Sequence, residues 1–511
     1  MPDLTLPVPP DRIAVIDIGS NSLRLVVFER MGATLLPLLN EKVMCGLGRG
    51  IARTGYLNRD GIELAHANLQ RFVALARALK ADHLMAIATA AVREASDGRD
   101  FAADIERQCG IPVRIVGGAE EARLSAAGVL AGIPGAAGVV GDLGGGSVEL
   151  VRIDGSGVDG DGAPIGEGIS LPLGPLRLAD LADNPRALLD TIERTIEGAR
   201  LLRAAAGKSL FLVGGAWRAI ARLHMEQTHY PLHIIHQYTV SRRAAEEFLE
   251  VVAPMSRRSL ERIAMINRRR LELVPLAAMI LYRLLAVGKP DRIVFSAYGL
   301  REGYAYSLLA EERGSDPLIA ACIGIARSQS RDRGDGDRLA QWIAPVFGEL
   351  PTRWRRLHRA ACWLGDIAWT EHPDYRAEQA FTRSLRMPVG AIEHTERVFI
   401  ASALHARYGG APDDPIKTAT RVLLGPDEAL AARALGLALR LAYTLCGGAL
   451  DLLTEVSLSR DDQTLVLELP ETGSLFQGEA VERRLSALAR ALGLMPQTAR
   501  RRARRAALAG D

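Results

Sequence analysis

The chain has 511 residues, of which 48% are hydrophobic and 24% charged, values typical of a globular protein with several domains. A net charge of +3 is too small to indicate nucleic-acid binding by itself. Cys45, Cys109, Cys322, Cys362 and Cys446 are far apart without a Cys-x-x-Cys pair, which argues against a zinc site or disulfide frame and favours buried thiols in a reducing cytoplasm.

The amino-terminal segment and the most apolar segment both argue against a membrane. Residues 1–10 lack the basic-then-apolar order of a signal peptide. The longest apolar run, 429–453, is interrupted by Arg433, Arg440 and Asp451, so it predicts a buried helix. We therefore expect a cytoplasmic protein without a membrane partner.

Predicted strands and helices alternate over the first 130 residues. In chain order they are a hairpin at 13–30, a helix at 60–81, a strand at 83–89, a helix that begins at Ala90 and continues past Asp100, a strand at 112–116 and a helix from Ala119. The helix at 60–81 rests on apolar residues at helical spacing, and the strand at 83–89 on a short apolar run. Such alternation predicts an α/β sheet with crossover connections.

A second predicted hairpin, Val139–Val151, ends in three consecutive glycines. These glycines (144–146) leave the tip almost bare of side chains, so backbone N–H groups can surround an anion. Asp142 and Glu149 flank the tip, where they could hold a divalent cation beside that anion.

The same pattern occurs near the amino terminus. A shift of 125 residues places Asp17 on Asp142, Gly19 on Gly144, Ser22 on Ser147 and Leu25 on Leu150. Two copies of strand, Asp-x-Gly-x-x-Ser, strand predict two similar half-domains, each with a hairpin tip. The matched pair favours a phosphate cradle over two purely structural turns.

The chain changes character near residues 313–317. Before this point the predicted elements are a Gly/Asp-rich loop at 154–168, a helix at 186–206, a strand at 209–213 with a Gly-Gly turn and a helix at 217–224, helices within 241–286 that carry Arg268–Arg270, and a strand at 292–296 entering a helix that contains Arg301. After it come almost purely helical periodicity to residue 445, a hairpin at 454–458 and 464–469, and a helix at 478–492. An arginine run at 500–505 is either a solvated tail or a further contact to a polyanion.

The motifs that the sequence lacks narrow its chemistry. There is no Gly-x-x-x-x-Gly-Lys-Ser/Thr, no Gly-x-Gly-x-x-Gly followed by a ribose-binding carboxylate, no His-Glu-x-x-His and no legible Ser-His-Asp set. Gly-rich turns that lead from strands into helices suit phosphate groups instead. What remains is phosphoryl chemistry between two facing hairpins, with a cation and a carboxylate that orients water. Glu120 and Glu121 open a helix, where the helix dipole alone would favour acidic residues.

Five segments together carry a family resemblance. They are Asp-Ile-Gly-Ser-Asn-Ser (17–22), Ala-Thr-Ala-Ala-Val-Arg (88–93), Gly-Gly-Ala-Glu-Glu-Ala-Arg-Leu (117–124), Asp-Leu-Gly-Gly-Gly-Ser-Val-Glu (142–149) and Val-Gly-Gly (213–215). In this order and spacing they resemble the exopolyphosphatase/guanosine pentaphosphate phosphatase family of the sugar kinase–Hsp70–actin superfamily, over about residues 12–310. A weaker resemblance, to that family's HD-like domain, extends through the helical part.

The resemblance implies a fold class and a domain order. The protein would be α/β, with two actin-like (ribonuclease H-like) half-domains, residues 1–130 and 131–313, separated by a cleft. An all-α HD-like domain (314–450) and a small α+β C-terminal region with the basic tail (451–511) would follow.

The resemblance also implies roles for individual residues. Glu121 would be the general base for a water that attacks the terminal phosphorus, and Asp142 and Glu149 would position Mg²⁺. The terminal phosphate would be held by Asn21, Ser22, Arg93, Gly144, Gly145, Gly146 and Ser147, with Arg270 or its neighbour Arg269 entering from the second domain. Polyphosphate would then be shortened one phosphate at a time from its end.

The helical part departs from a working HD phosphohydrolase. Leu364-Gly365-Asp366 stands where such domains carry His-Asp, and Arg333–Asp337 stands where an earlier His is expected. We therefore expect a binding and dimerisation element. Its arginines at 353, 355, 356, 359 and 376 either line a channel for polyphosphate or lie on exposed helix faces.

Three functions remain open on the sequence. An Mg²⁺-dependent exopolyphosphatase and a guanosine pentaphosphate 5′-phosphatase would use the same motifs, and the arginine-rich helical part slightly favours the polymer. A non-catalytic alarmone or nucleotide sensor would keep the cradle, but Glu121 and the two acidic flanks argue against it. The expected partners are inorganic polyphosphate, guanosine pentaphosphate as the alternative, and a second copy of the chain in a homodimer. Nucleic acid is not expected.

Overall fold

The computed structural model describes residues 11–32, 34–155, 164–181, 184–255, 259, 273–309, 316–331, 335–470 and 475–501. The chain divides into two compact units, residues 1–317 with 388–391 and residues 318–387 with 392–511. Most of the predicted Gly/Asp-rich loop, the basic cluster Arg268–Arg270 and the arginines at 502–505 lie outside the described residues. The predicted phosphate ligand Arg270 is therefore not placed.

The first half-domain contains a five-stranded sheet. Its strands are β1 (Arg12–Ile18), β2 (Leu23–Met31), β3 (Thr34–Val43), β4 (His83–Ala88) and β5 (Val113–Ile115), in the order β3-β2-β1-β4-β5. Its helices are α1 (Ile51–Thr54), α2 (Arg59–Ala78), α3 (Ala90–Glu94), α4 (Gly98–Cys109) and α5 (Gly118–Gly132). β1 is central and mostly apolar; it pairs antiparallel with β2 and parallel with β4, so the first hairpin tip lies beside the turn from β4 into α3.

The second half-domain contains a six-stranded sheet. Its strands are β6 (Ala137–Leu143), β7 (Val148–Asp154), β8 (Ile165–Leu171), β9 (Ser209–Gly214), β10 (Tyr238–Ser241) and β11 (Arg292–Phe295), in the order β10-β11-β9-β6-β7-β8. Its described helices are α6 (Pro175–Leu178), α7 (Pro185–Glu197), α8 (Gly215–Gln227), α9 (Arg242–Val252), α10 (Val274–Gly288) and α11 (Leu300–Ser307), with 3₁₀ turns at Ala179–Leu181 and Arg200–Ala205.

The two sheets share one topology. The strand order β3-β2-β1-β4-β5 of the first sheet is repeated by β8-β7-β6-β9-β11 in the second, with β10 added at the edge. The hairpin turns also match, because Gly19 N donates to Ser22 O at 3.1 Å and Gly144 N donates to Ser147 O at 3.0 Å. The 125-residue repeat therefore corresponds to two sheets of the same strand order whose hairpin turns share a hydrogen bond, while the half-domain boundaries stay a prediction.

Two helix predictions were wrong in extent. The helix from Ala90 past Asp100 is interrupted between α3 and α4, where the Asp97 carboxylate accepts a hydrogen bond from Leu57 N at 3.0 Å. The predicted helix at 186–206 ends at Glu197 and is followed by the 3₁₀ turn. The edge strands β3, β8 and β10 were not predicted, since Pro37 and the glycines of β8 weaken the strand signal.

Helices α5 and α11 cross backbone to backbone at two glycines. A Cβ atom on Gly303 of α11 would overlap the carbonyl oxygen of Leu124, and one on Gly128 of α5 would overlap that of Gly299. Only glycine permits such an approach. The crossing fixes α5, the last helix of the first half-domain, against α11, the last described helix of the second.

The second unit is helical with a small sheet at its carboxyl end. Its helices are α12 (Pro317–Gln329), α13 (Gly336–Phe347), α14 (Thr352–Trp363), α15 (Arg376–Leu385), α16 (His394–Arg407), α17 (Thr418–Leu423), α18 (Pro426–Cys446) and α19 (Glu479–Leu492), with 3₁₀ turns at Pro373–Tyr375, Pro415–Lys417 and Leu450–Thr454. Strands β12 (Ser457–Arg460), β13 (Thr464–Pro470) and β14 (Met495–Arg501) form the sheet in this order. The helical character is confirmed; the likeness to HD domains stays a prediction.

Ion pairs take up most of the arginines predicted for a channel. Arg353 and Arg356 pair with Glu396, and Arg359 pairs with Asp337. These pairs favour a structural role within the helical unit over a channel wall. Asp366 is buried and accepts from Arg331 at 2.8 Å and from Arg407 at 3.4 Å.

The long apolar helix α18 and the cysteines agree with the sequence-based expectations. Among the described residues, α18 is the one helix long and apolar enough to cross a membrane, and 61% of its most apolar stretch is buried, as in the core helices of globular proteins. All five cysteines are free and buried.

The stability of the helical unit is expected to fall on acidification because of His358. This side chain is buried beside Phe347 and Phe399, with ring centroids 4.7 Å and 6.1 Å away, and burial lowers its pKa to about 4. The unfolded chain, with the ordinary value of 6.5, binds more protons as pH falls below 6.5, so unfolding becomes easier. Between pH 7.5 and 5 we expect His358 to cost the folded state about 2 kcal/mol.

Urea unfolding followed by tryptophan fluorescence measures this effect, because four of the five tryptophans lie in the helical unit. His358→Phe should remove about 2 kcal/mol of the pH dependence. Exposed His372 supplies the control, His372→Phe, which should keep it. An identical pH dependence in wild type and His358→Phe would contradict the prediction.

Candidate active site

The hairpin tips and the Gly-rich turns border one cavity of about 370 Å³. The tips contribute Ser20, Asn21, Ser22, Gly144 and Gly145, and the turns contribute Gly214, Gly215 and Gly299. These segments follow the carboxyl ends of β1, β6, β9 and β11, and ligands of open α/β sheets bind at such ends. The cavity is the predicted cleft of the first unit.

Glu121 lies in the first turn of α5 and lines this cavity. Its side chain is nearly buried, with 7% of the residue exposed, and Arg93 Nη1 donates to its Oε2 at 3.0 Å. The same Arg93 nitrogen donates to Val116 O at 2.8 Å, which fixes the guanidinium. Burial, and then the nearby charge of Glu149, raise the pKa of Glu121 well above its ordinary value, while Arg93 opposes the rise. The result is a carboxylate of increased basicity.

Asp142 and Glu149 are cross-strand neighbours on β6 and β7. Ser125 Oγ donates to Asp142 Oδ2 at 2.5 Å, and the Glu149 Oε1 accepts from Ser147 at 2.5 Å and from Ser170 at 2.8 Å. Glu149 Oε2 is buried without a hydrogen-bond partner among the described residues. Burial raises the pKa of Asp142 and brings that of Glu149 to about 7.

This pair has the donor set that Mg²⁺ prefers. Burial disfavours the charge of both carboxylates, and Glu149 Oε2 has no hydrogen-bond partner among the described residues, so a bound cation would stabilise the pair. No group of three or more His, Cys, Asp or Glu side chains suited to a metal occurs in the described parts of the chain. One or two carboxylates completed by phosphate oxygens and water are the usual Mg²⁺ environment, so the residues fit the ion.

The predicted phosphate ligands separate into two groups. Asn21, Ser22, Gly144 and Gly145 line the cavity. Gly146 borders a second, water-sized cavity together with Leu176 and Arg177 of α6, and the hydroxyl of Ser147 donates to Glu149. Arg93 holds Glu121.

Four cationic side chains on the cavity wall were missed as site residues. They are Arg24, Lys42, Arg218 and Arg301. Arg301 is buried and donates to Asp17 Oδ2 at 2.6 Å; although burial opposes its charge, Glu302 and Asp17 keep its pKa above the ordinary value. Burial, with repulsion from Arg301 and Arg218, lowers the pKa of Arg24 to about 9. A wall of like charges is the environment that a bound anion would stabilise.

A sequence signal existed for some of these cations. Arg24 follows the Ser22 of the first tip by two residues, and Arg218 and Arg301 lie within four residues after Gly-rich turns. Their convergence depends on strands from both sheets, which periodicity does not reveal.

Two family models match most of the chain. The model described as the Ppx/GppA phosphatase family matches residues 25–312, and the model described as exopolyphosphatase, C-terminal, matches residues 318–497. The chain is similar to Exopolyphosphatase 1 of Mycobacterium leprae, with 26% identity over 342 residues that cover 64% of this chain and 98% of that protein.

Two solved structures have a fold similar to that of more than half of the chain. An exopolyphosphatase from Cytophaga hutchinsonii is 23% identical, covers 58% of this chain and 98% of its own, and superposes with a TM-score of 0.52. A Ppx/GppA family member from Aquifex aeolicus is 23% identical, covers 60% and 100%, and superposes with a TM-score of 0.50. At this identity the two structures show a shared fold.

Proposed function

The chain belongs to the Ppx/GppA phosphatase family, and from this premise we propose that it is an exopolyphosphatase that hydrolyses the terminal phosphate of inorganic polyphosphate. The observation that carries the proposal is Glu121, a buried carboxylate of raised pKa that faces a cleft with a cationic wall. Its relative from M. leprae, which the chain matches over nearly the whole length of that protein, is named an exopolyphosphatase.

The base in this mechanism is Glu121. Its carboxylate takes a proton from a water whose oxygen bonds to the terminal phosphorus, while the bond from that phosphorus to the bridging oxygen breaks. The products are inorganic phosphate and a chain shorter by one phosphate. The raised pKa of Glu121 makes it a better proton acceptor, and Arg93 fixes its orientation.

The remaining residues hold the substrate. The N–H groups of the two tips would surround the terminal phosphate, and Arg24, Arg218 and Arg301 would bind the phosphates that follow. Asp142 and Glu149 would hold Mg²⁺, which when bound supplies positive charge to the phosphoryl group. A cytoplasmic location and a homodimer remain part of this proposal.

Phosphate release in the presence of Mg²⁺ tests the proposal, with long polyphosphate, guanosine pentaphosphate and ATP assayed in parallel. We expect the highest kcat/KM with long polyphosphate. Preference for guanosine pentaphosphate would replace the proposal with the 5′-phosphatase of the same family. Binding of any of them without phosphate release would indicate a sensor.

The pH dependence of hydrolysis should report the raised pKa of Glu121. A general base must be deprotonated, so kcat/KM should fall as pH drops through the pKa of Glu121, at a pH above the ordinary 4.5. Arg93 lowers this pKa, hence Arg93→Met should move the acidic limb to higher pH whatever it does to the maximal rate. A pH profile of kcat/KM for both proteins is the measurement; a limb near 4.5, or one unmoved by Arg93→Met, would contradict the assignment.

A further inference from the structure

The two hairpin tips hold their carbonyl groups by different means. In the first tip, Ser20 O accepts from Gly48 N at 2.8 Å and Asn21 O accepts from Gly46 N at 3.1 Å. The 125-residue repeat makes Gly145 and Gly146 the equivalent residues of the second tip. In the first tip, both carbonyls are thus held by backbone donors of a single loop.

In the second tip one of these donors is a side chain. Gly145 O accepts from Leu176 N at 2.9 Å, but Gly146 O accepts from Arg177 Nε at 3.1 Å. Both donors belong to α6. This helix starts so close to the tip that a Cβ atom on Gly174, the residue before it, would overlap the tip backbone. The orientation of one tip peptide therefore depends on a side chain.

These contacts determine where the N–H groups of the tip point. The described peptide bonds are trans, and in a trans peptide the N–H points opposite to the C=O. With the carbonyls of Gly145 and Gly146 directed at α6, the N–H groups of Gly146 and Ser147 point away from it. Neither N–H has an acceptor in the described part of the protein, so both are available to an anion.

Arg177 is itself held by the other half-domain. Its guanidinium forms an ion pair with Glu94, the last residue of α3. The neighbouring residue of α3 is Arg93, which orients Glu121. Glu94 neutralises Arg177, so Arg177 serves the tip carbonyl and does not compete as an anion ligand.

We propose that Arg177 is a positioning residue that holds the Gly146–Ser147 peptide with its N–H toward the terminal phosphate of the substrate. This inference rests on the proposed function for the identity of the anion. Loss of a contact that orients a metal ligand typically lowers affinity or activity by about 10- to 100-fold, and we expect a loss of the same order for this phosphate-binding peptide.

Arg177→Met, which keeps the length of the side chain, tests the inference against two controls. Arg194→Met removes an exposed arginine whose Nε donates to a backbone carbonyl of its own helix, Asp190 O. Glu94→Gln removes the charge of the ion pair and leaves the contact to Gly146. We expect Arg177→Met to lower kcat/KM for polyphosphate about 10- to 100-fold and to raise the inhibition constant of inorganic phosphate, with a smaller change in Glu94→Gln and none in Arg194→Met.

The thermal shift induced by inorganic tripolyphosphate provides a readout that does not need hydrolysis. It should be smaller in Arg177→Met than in wild type, and Arg177→Lys, which keeps one donor, should recover part of it. Kinetic constants and thermal shift equal to wild type, or losses equal to those in Glu94→Gln, would overturn the positioning role. A wild-type protein that binds tripolyphosphate but releases no phosphate would overturn the exopolyphosphatase proposal alone.

Discussion

Replacing Glu121 with glutamine is expected to lower kcat for polyphosphate hydrolysis by a factor of about 10² to 10⁴, the contribution usual for a general base. Glutamine keeps the shape of the side chain and an oxygen that can accept from Arg93, but it cannot take a proton from water. KM should change little, since the tips and the cationic wall bind the substrate in this mechanism. Phosphate release at saturating polyphosphate and Mg²⁺ measures the effect.

The neighbouring Glu120 supplies a matched control. It lies in the same first turn of α5, but its carboxylate is paired with Arg114 and is more exposed. Glu120→Gln should keep nearly full activity. If Glu120→Gln were inactive and Glu121→Gln active, the general base would be Glu120, and its assignment to Glu121 would be wrong.

Glu121→Gln should also leave the fold intact or make it slightly more stable. A raised pKa means that the folded state disfavours the charged carboxylate, so a neutral side chain of the same shape removes that cost. A melting temperature at or above that of wild type, together with the loss of hydrolysis, would separate a catalytic role from a structural one.

The parts of the site that the sequence predicted are local. Asp142 and Glu149 flank a tip of known geometry, so strand pairing brings them together as cross-strand neighbours. The repeat at Asp17 predicted a matching tip in the first hairpin, and the structure repeats both the register and the turn hydrogen bond of the second.

The parts that the sequence did not predict come from distant elements. Ser125 and Ser170 reach the acidic pair from α5 and β8, and Arg301 reaches Asp17 across 284 positions of the chain. No periodicity records such contacts, because they depend on how the two sheets and α5 pack. The role of Arg177 is hidden for the same reason: its sequence context is only a short helix after a glycine.

Gly303→Ala is expected to destabilise the first unit by about 3 kcal/mol or more, the upper range for overpacking a core. The added methyl group would overlap a backbone carbonyl of α5, which cannot turn away as a flexible side chain could. Helices α5 and α11 would have to separate, and they carry Glu121 and Arg301 respectively. Loss of stability and of hydrolysis should therefore occur together.

Gly198→Ala is the matched control for this crossing. Gly198 caps the carboxyl end of α7 at φ −66°, and a Cβ atom there would meet its nearest neighbours at an ordinary 3.6 Å. Its replacement should be neutral or stabilise the protein by up to about 1 kcal/mol, because alanine restricts the unfolded chain. Urea unfolding followed by circular dichroism compares the two variants. A Gly303→Ala protein as stable as Gly198→Ala would mean that the helices tolerate a wider separation, and the backbone contact would then not be what fixes the base opposite the phosphate tips.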